Sequence, residues 1–257
     1  MTSYKPIPLY NEIVWNLITE ACHILLLAPS GFGKSMLLSY LAGMVLKRGH
    51  NLLLIDAKKT AFGETYKSIG VPVASDVNEI IKMLTELVES MEDDYNNYFS
   101  SDEISLDTNF ATLKLPAHVL IFDEVLSALE SGDKKQKAEM ERLLKLLTLK
   151  GRMAGYIIVL TSQRLLATDL PKAVTEQCQT RIIMGANVSD ELFHVATGVY
   201  KKDIVTNYDG GVGKGYILTP KNGLTVFKAP YMDFSNVDFR NLMYELRKEG
   251  ASYGPSY

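Results

Sequence analysis

Short apolar runs alternate along the chain with stretches in which apolar residues recur every three or four positions. The runs lie at 24–28, 51–56, 118–122, 156–161 and 181–184, and the periodic stretches at 34–47, 77–91 and 136–149. Brief continuous runs fit strands buried on both faces, whereas the wider spacing lays one side of a helix on a sheet. Their alternation predicts an α/β fold: a mostly parallel central sheet with helices on both faces. The two ends of the chain differ from this middle. Residues 1–21 read as an extended lead followed by a short helix around 11–19. Residues 215–219 and 224–228 flank an Asn-Gly turn and predict a β-hairpin. Beyond it Ser235 is placed to cap a helix reaching about Lys248, with Gly250 as its stop and 251–257 as a loose tail.

Composition narrows the class. With 257 residues, 47% of them hydrophobic and 22% charged, the chain has ordinary globular composition and a core that needs no metal or disulfide. Cys22 and Cys178 show neither metal-ligand nor CxxC spacing, which predicts buried thiols in a reducing compartment. No apolar run approaches the roughly 20 residues of a membrane helix, and the N-terminus lacks a secretory pattern. The expected location is the cytoplasm. A formal net charge of -3 offers no global attraction for phosphates, so any nucleic-acid contact must come from a local patch. Charge is uneven, however. Between Met83 and Leu113 lie eight acidic residues and no Lys or Arg, and the aperiodic part, about 98–115, reads as an exposed acidic insertion. Seven basic residues follow between Lys134 and Arg152.

Three short segments carry chemistry. Ala28-Pro-Ser-Gly-Phe-Gly-Lys-Ser35 joins a predicted strand to a predicted helix, the setting of a phosphate-binding loop. Its glycines let backbone N–H groups curl around a phosphate chain at a helix N-terminus. Ser30, Gly31, Phe32, Gly33, Lys34, Ser35 and Met36 are the expected nucleotide contacts, with Lys34 reaching the β and γ phosphates. Ser35 would ligate Mg²⁺, so ATP and Mg²⁺ are the expected ligands. The strand at 118–122 ends in Asp123 and Glu124. Beside a phosphate loop, Asp123 is placed for the Mg²⁺ shell and Glu124 to orient and deprotonate an attacking water. Gln163, where the strand at 156–161 stops, is placed to touch the γ phosphate.

Together these residues resemble the motor domain of FtsK/HerA-type DNA-pumping ATPases, which includes chromosome translocases and coupling proteins of conjugative elements. The resemblance covers about 20–230. It rests also on His23, Leu54-Ile-Asp-Ala-Lys58, Ile69-Gly-Val-Pro72, Met91-Glu-Asp-Asp-Tyr95, Arg152-Met-Ala-Gly155 and Ser162-Gln-Arg164. Asp169-Leu-Pro-Lys172, Thr180-Arg-Ile182 and Gly213-Lys-Gly-Tyr216 look more like the conjugative branch. The resemblance implies a RecA-like P-loop ATPase core at 1–230, followed by a C-terminal helix and flexible tail at 231–257. It further implies a homo-oligomer, a hexameric ring with nucleotide at the subunit interfaces and DNA in the channel. Arg152 matches the position of an arginine that completes the neighbour's site, with Arg181 as the alternative.

Arg164 and Lys172 match channel-facing positions and would bind DNA phosphates without reading bases. Asp190 stands where chromosome translocases tend to have a lysine, and Glu92 to Asp94 replace a basic pair, so the implied affinity is modest. At this length neither a membrane anchor nor a sequence-reading winged helix is expected. The expectation is a bare motor, guided by a relaxase, a replication initiator or a membrane-anchoring partner. The Ser-Gln-Arg-Leu165 wording also resembles FtsK-like ATPase modules of type VII secretion, whose substrate is protein. That leaves an ATPase of protein secretion or assembly as the alternative.

Overall fold

The computed structural model describes residues 3–100, 104–166, 168–185, 188–200, 211–231 and 236–253. Its centre is a sheet of eight strands built on the five predicted runs. These are β3 (Ile24–Leu27), β4 (Asn51–Asp56), β6 (His118–Asp123), β7 (Tyr156–Ser162) and β8 (Thr180–Met184). β5 (Val73–Ala74), β9 (Lys214–Thr219) and β10 (Gly223–Lys228) complete it. The strand order is β10-β9-β8-β3-β7-β6-β4-β5. All pairings from β8 to β5 are parallel, while β8–β9 and β9–β10 are antiparallel. The predicted C-terminal hairpin therefore extends one edge of the parallel sheet.

Because strand side chains alternate between faces, the two halves of the core divide the same strands between them. Leu25 and Leu27 face one cluster and Ile24 and Leu26 the other. The first face is covered by α3 (Val77–Tyr98), α4 (Val125–Ser131), α5 (Lys134–Ala154), α6 (Lys172–Gln177) and α7 (Asp190–Thr197). The opposite face carries α1 (Lys34–Lys47), α2 (Ala61–Ser68) and α8 (Phe239–Ala251). Asp76 and Asp133 start α3 and α5 with reciprocal capping boxes to Glu79 and Gln136. Both helices run past their predicted ends because apolar contacts continue, to Met91 and Tyr95 in α3 and to Gly151 and Ala154 in α5. The register Ile24↔Thr180 brings the segments holding Cys22 and Cys178 alongside one another, yet the two thiols belong to opposite faces. Burial pushes both up to about 12, so they are inert packing groups.

Three expectations change. The helix expected around 11–19 is instead an antiparallel hairpin of β1 (Ile7–Tyr10) and β2 (Ile13–Trp15). Ile7, Leu9, Ile13 and Trp15 point inward at a period of two, Asn11 turns the chain at φ 50, and Trp15 Nε1 donates to Cys22 O at 2.7 Å. The acidic insertion is exposed only in part. α3 persists to Tyr98, and Phe110, fully buried, anchors the return by donating its N–H to Met153 O at 2.9 Å. Asp102 and Glu103 of that insertion, and the proposed cap Ser235, lie outside the described residues.

The last helix is capped by Asp238, whose side chain accepts from Asn241 N. Gly250 does not stop it. It lies inside α8 because the helix crosses α1 so closely that a Cβ there would sit 1.8 Å from Leu46 O. No helix among the described residues is long and apolar enough to cross a membrane.

Candidate nucleotide site

β3 runs straight into the phosphate loop, which Ala28 N ties to Ser162 O at the end of β7 (3.1 Å). Gly31 and Gly33 adopt φ 85 and 89, left-handed values that admit glycine at little cost. Gly33 also sits at the N-cap of α1, and a Cβ there would meet Gly213 N at 3.3 Å. No side chain caps α1 and its first turn holds no acid, so its N–H groups and dipole face the loop. Phe32 closes the far side, its carbonyl accepting from Gly213 N at 3.0 Å and its ring lying against Gly185. Ser30 and Ser35 are exposed, and Met36 is half-buried in the first helical turn.

The carboxylates arrive on β6. Lys34 Nζ lies 2.7 Å from Asp123 Oδ1 and also bonds Glu124 Oε1. Glu124 holds φ 56 and ψ 57, a left-handed conformation costing a non-glycine residue roughly 1 to 2 kcal/mol. Thr161, fully buried on the adjacent strand β7, pins both acids. Its hydroxyl donates to Asp123 Oδ1 at 2.6 Å and accepts from Glu124 N at 3.2 Å. Lys58 Nζ approaches the other oxygen of Glu124, Oε2, at 3.5 Å. Gln163 Oε1 accepts from Ser30 Oγ at 3.2 Å, linking the end of β7 to the phosphate loop.

Thr161 and the contact of Lys58 were not foreseen as parts of the site. The only signal for Thr161 was a hydroxyl in an otherwise apolar strand, and its role needs the register between β6 and β7.

The other expected residues lie elsewhere. Arg152 lies in the last turn of α5 and is half exposed, 3.6 Å from Glu20. It precedes the seven-residue strand β7, and the site lies at the far end of that strand, about 20 Å away at ~3.3 Å per residue. Arg181 is committed to the chain itself, donating to the carbonyls of Cys178 (3.0 Å), Thr175 (2.9 Å) and Ala196 (3.3 Å). Those bonds give it a structural task, and the alternative to Arg152 loses its free guanidinium. Arg164 and Lys172 are well exposed; among the described residues they pair with Glu130 at 3.2 Å and Glu176 at 3.4 Å.

Among the described residues no group of three or more His, Cys, Asp or Glu is arranged for a metal. Asp123 and the exposed hydroxyl of Ser35 are hard oxygen donors, which suits Mg²⁺, an ion that keeps waters and substrate phosphates in its shell.

A glycine-turned loop between strand and helix, facing paired carboxylates at the end of a parallel strand, defines a P-loop nucleoside triphosphatase. Residues 24–186 match the AAA family, the ATPase family associated with various cellular activities, and the chain belongs to it. A curated relative is the FtsK domain-containing protein YdcQ of Bacillus subtilis (strain 168). It is 25% identical over 224 residues, which are 87% of this chain and 46% of YdcQ, so the chain spans about half of that relative. Among solved structures, the fold is shared with the pCW3 conjugation coupling protein TcpA in its monomer form with ATPγS. That match has a TM-score of 0.75 and 20% identity, covering 96% of this chain and 75% of the other. It is shared too with the cytoplasmic domain of the Thermomonospora curvata type VII secretion ATPase EccC (TM-score 0.68, 19% identity, 94% of this chain and 30% of the other). EssC (ATPases 2 and 3) from Geobacillus thermodenitrificans is similar in the same way (TM-score 0.69, 15% identity, 98% and 50%).

Proposed function

We propose that the chain is an ATP-driven DNA translocase motor serving a conjugative or other mobile element. The observation that carries the coupling is the bond from Ser30 to Gln163. It joins the phosphate loop to the residue just before Arg164, an exposed cation. A change at the γ phosphate read by Gln163 thereby reaches a surface suited to DNA phosphates. The resemblance read in the sequence, the FtsK domain named in YdcQ and the conjugation role named for TcpA support the same reading.

In this reading Lys34 and the loop N–H groups hold the phosphates. Asp123 and Ser35 would hold Mg²⁺, which would supply countercharge to the transferring phosphoryl group. Glu124 takes a proton from water as its oxygen bonds to the γ phosphorus, and the bond to the bridging oxygen breaks with its electron pair going to ADP. Arg152 is far from the site of its own chain and exposed, which suits action on a neighbour's site in a homo-oligomeric, hexameric ring. The motor comprises 1–230, and α8 of the segment 231–257 packs on it. It works in the cytoplasm and reaches a membrane through a partner, with a relaxase or replication initiator loading it.

DNA binding is sequence-independent and falls steeply with salt in this reading, since a few cations meet phosphates only. The test is the ATPase rate with single-stranded and duplex DNA at low and moderate salt, for the native chain and Lys172→Glu. The expected result is stimulation that Lys172→Glu removes while basal hydrolysis survives. If neither DNA form stimulates assembled rings, the translocase reading gives way to protein secretion or assembly, the context named for EccC.

A further inference from the structure

Glu124 is nearly buried, its side chain 5% exposed, and its two oxygens are held by two different lysines. Lys34 bonds Oε1, while Lys58 lies 3.5 Å from Oε2. The two holders are mounted differently. Lys34 begins α1 beside the phosphate loop and is shared with Asp123, so a phosphate chain in the loop competes for its ammonium. Lys58 stands on the turn between β4 and α2, and that turn is pinned from below. The buried carboxylate of Asp56 accepts from Lys58 N (3.2 Å), Thr60 N (2.7 Å), Thr60 Oγ1 (2.9 Å) and Gly63 N (3.2 Å). Lys59 completes the turn at φ 53, donating its N–H to Asp56 O at 3.1 Å.

We infer that Lys58 is a positioning residue for hydrolysis, on the reading of Glu124 as the base. When Lys34 turns to phosphate, Oε1 is released to face water. Lys58 stays on Oε2 and fixes the plane of the carboxylate. Without it, the second oxygen of a nearly buried carboxylate would lose the cation that faces it, an arrangement proteins tolerate poorly, and the carboxylate would be free to rotate off the water. The pairing divides one carboxylate between a lysine that leaves and a lysine that stays.

The test compares the full chain with Lys58→Met and Lys58→Arg, each with and without Glu124→Gln. Turnover, KM for ATP and affinity for a fluorescent ATP analogue are measured without and with DNA. Displacing a base by an ångström costs on the order of 100-fold, so Lys58→Met should lower kcat by roughly 10- to 100-fold. KM and analogue affinity should stay unchanged, and Lys58→Arg, which keeps the charge, should recover most of the rate. In the Glu124→Gln background Lys58→Met should cost nothing further, since the two residues act as one unit. The inference is overturned if kcat survives in Lys58→Met. It is equally overturned if KM and analogue affinity weaken in both backgrounds, which would make Lys58 a phosphate ligand. Failure of DNA to stimulate the native chain bears on translocation alone, because the effect of Lys58 is read at each fixed DNA condition.

Discussion

The parallel strands finish at one end of the sheet and start at the other, and the two ends treat charge in opposite ways. At the finishing end Lys34 divides itself between Asp123 and Glu124, Lys58 leans on Glu124, and Ser30 reaches Gln163. On the proposed reading Lys34 takes another partner once phosphate arrives, while Lys58 stays on Glu124. At the starting end, polar groups are locked to the backbone. His23 and His50 precede β3 and β4, and their Nδ1 atoms accept from Ile158 N (3.0 Å) and Ala117 N (3.1 Å). His118 opens β6 stacked on Tyr156 at 4.6 Å, and Arg181 is spent on carbonyls. Arg152 stands apart here, half exposed and, among the described residues, ion-paired at 3.6 Å with Glu20. On the proposed reading one end exchanges a partner and the other holds the sheet together, with Arg152 offered to a neighbouring subunit.

The largest effect should come from Arg152. Arginines that complete a neighbour's phosphoryl-transfer site are worth about 10³ to 10⁵ in rate, so Arg152→Ala should nearly abolish turnover. Mixing Arg152→Ala with Glu124→Gln subunits should create some interfaces with both residues intact and restore part of the ATPase rate. No recovery in mixtures shown to co-assemble would return Arg152 to the starting end's structural role.

Next in size is the separation of binding from chemistry at the finishing end. Glu124→Gln should keep ATP affinity and lose about 10²- to 10⁴-fold in turnover, as expected for removal of a general base. Lys34→Ala should abolish tight binding, because it removes the countercharge of the phosphates. Calorimetric titration with a non-hydrolysable analogue, beside steady-state turnover, separates the two. Normal hydrolysis in Glu124→Gln would show that the finishing end uses another base.

The phosphate loop and the acids of the finishing end were legible in the sequence, for a physical reason; the backbone-locked groups of the starting end were not. The phosphate loop and the two acids are contiguous motifs, and their strand and helix flanks are long, strongly apolar segments that tertiary contacts do not override. Segments whose structure depends on partners far away in sequence were not legible. The hairpin β1–β2 is held by inward packing of Ile7 and Trp15, whereas its local sequence also suits a short helix. Phe110 sits in an acidic, aperiodic run that reads as surface until its burial is seen. Thr161 and Lys58 reach Glu124 across 37 and 66 positions of sequence respectively, through strand order that no local pattern encodes.

The starting end should dominate the response to acid. Burial pushes both His23 and His50 down to about 4 from 6.5, and burial also lowers His118. A depressed value means the folded state prefers the neutral ring while the unfolded chain takes up a proton. The stability these two rings contribute is therefore present above pH 6.5, declines as pH falls towards about 4, and loses nothing more below that. At 1.36 kcal/mol per unit, each of these two rings accounts for about 3 kcal/mol across the window. Urea unfolding from pH 7 to 4 should show a smaller decline in a His23→Gln, His50→Gln double variant than in the native chain. Equal declines would mean that acid acts through the carboxylates of the finishing end.

The smallest expected effect tests how the finishing end stays rigid when Lys34 changes partners. Thr161 is the fixed element there. Its hydroxyl accepts the N–H of Glu124, whose backbone is left-handed, and donates to Asp123, so one buried side chain holds both acids in register. Thr161→Val keeps shape and volume but leaves the buried N–H of Glu124 without its acceptor, at a cost of about 1 to 3 kcal/mol. Urea unfolding at neutral pH should show that loss. Turnover should fall while ATP affinity holds, because the loop and Lys34 are untouched and only the carboxylates are released. A Thr161→Val chain with native stability and native turnover would mean that the left-handed turn at Glu124 is held by packing of Val125 and Leu126 beneath it, and that the hydroxyl merely fills its place in the strand.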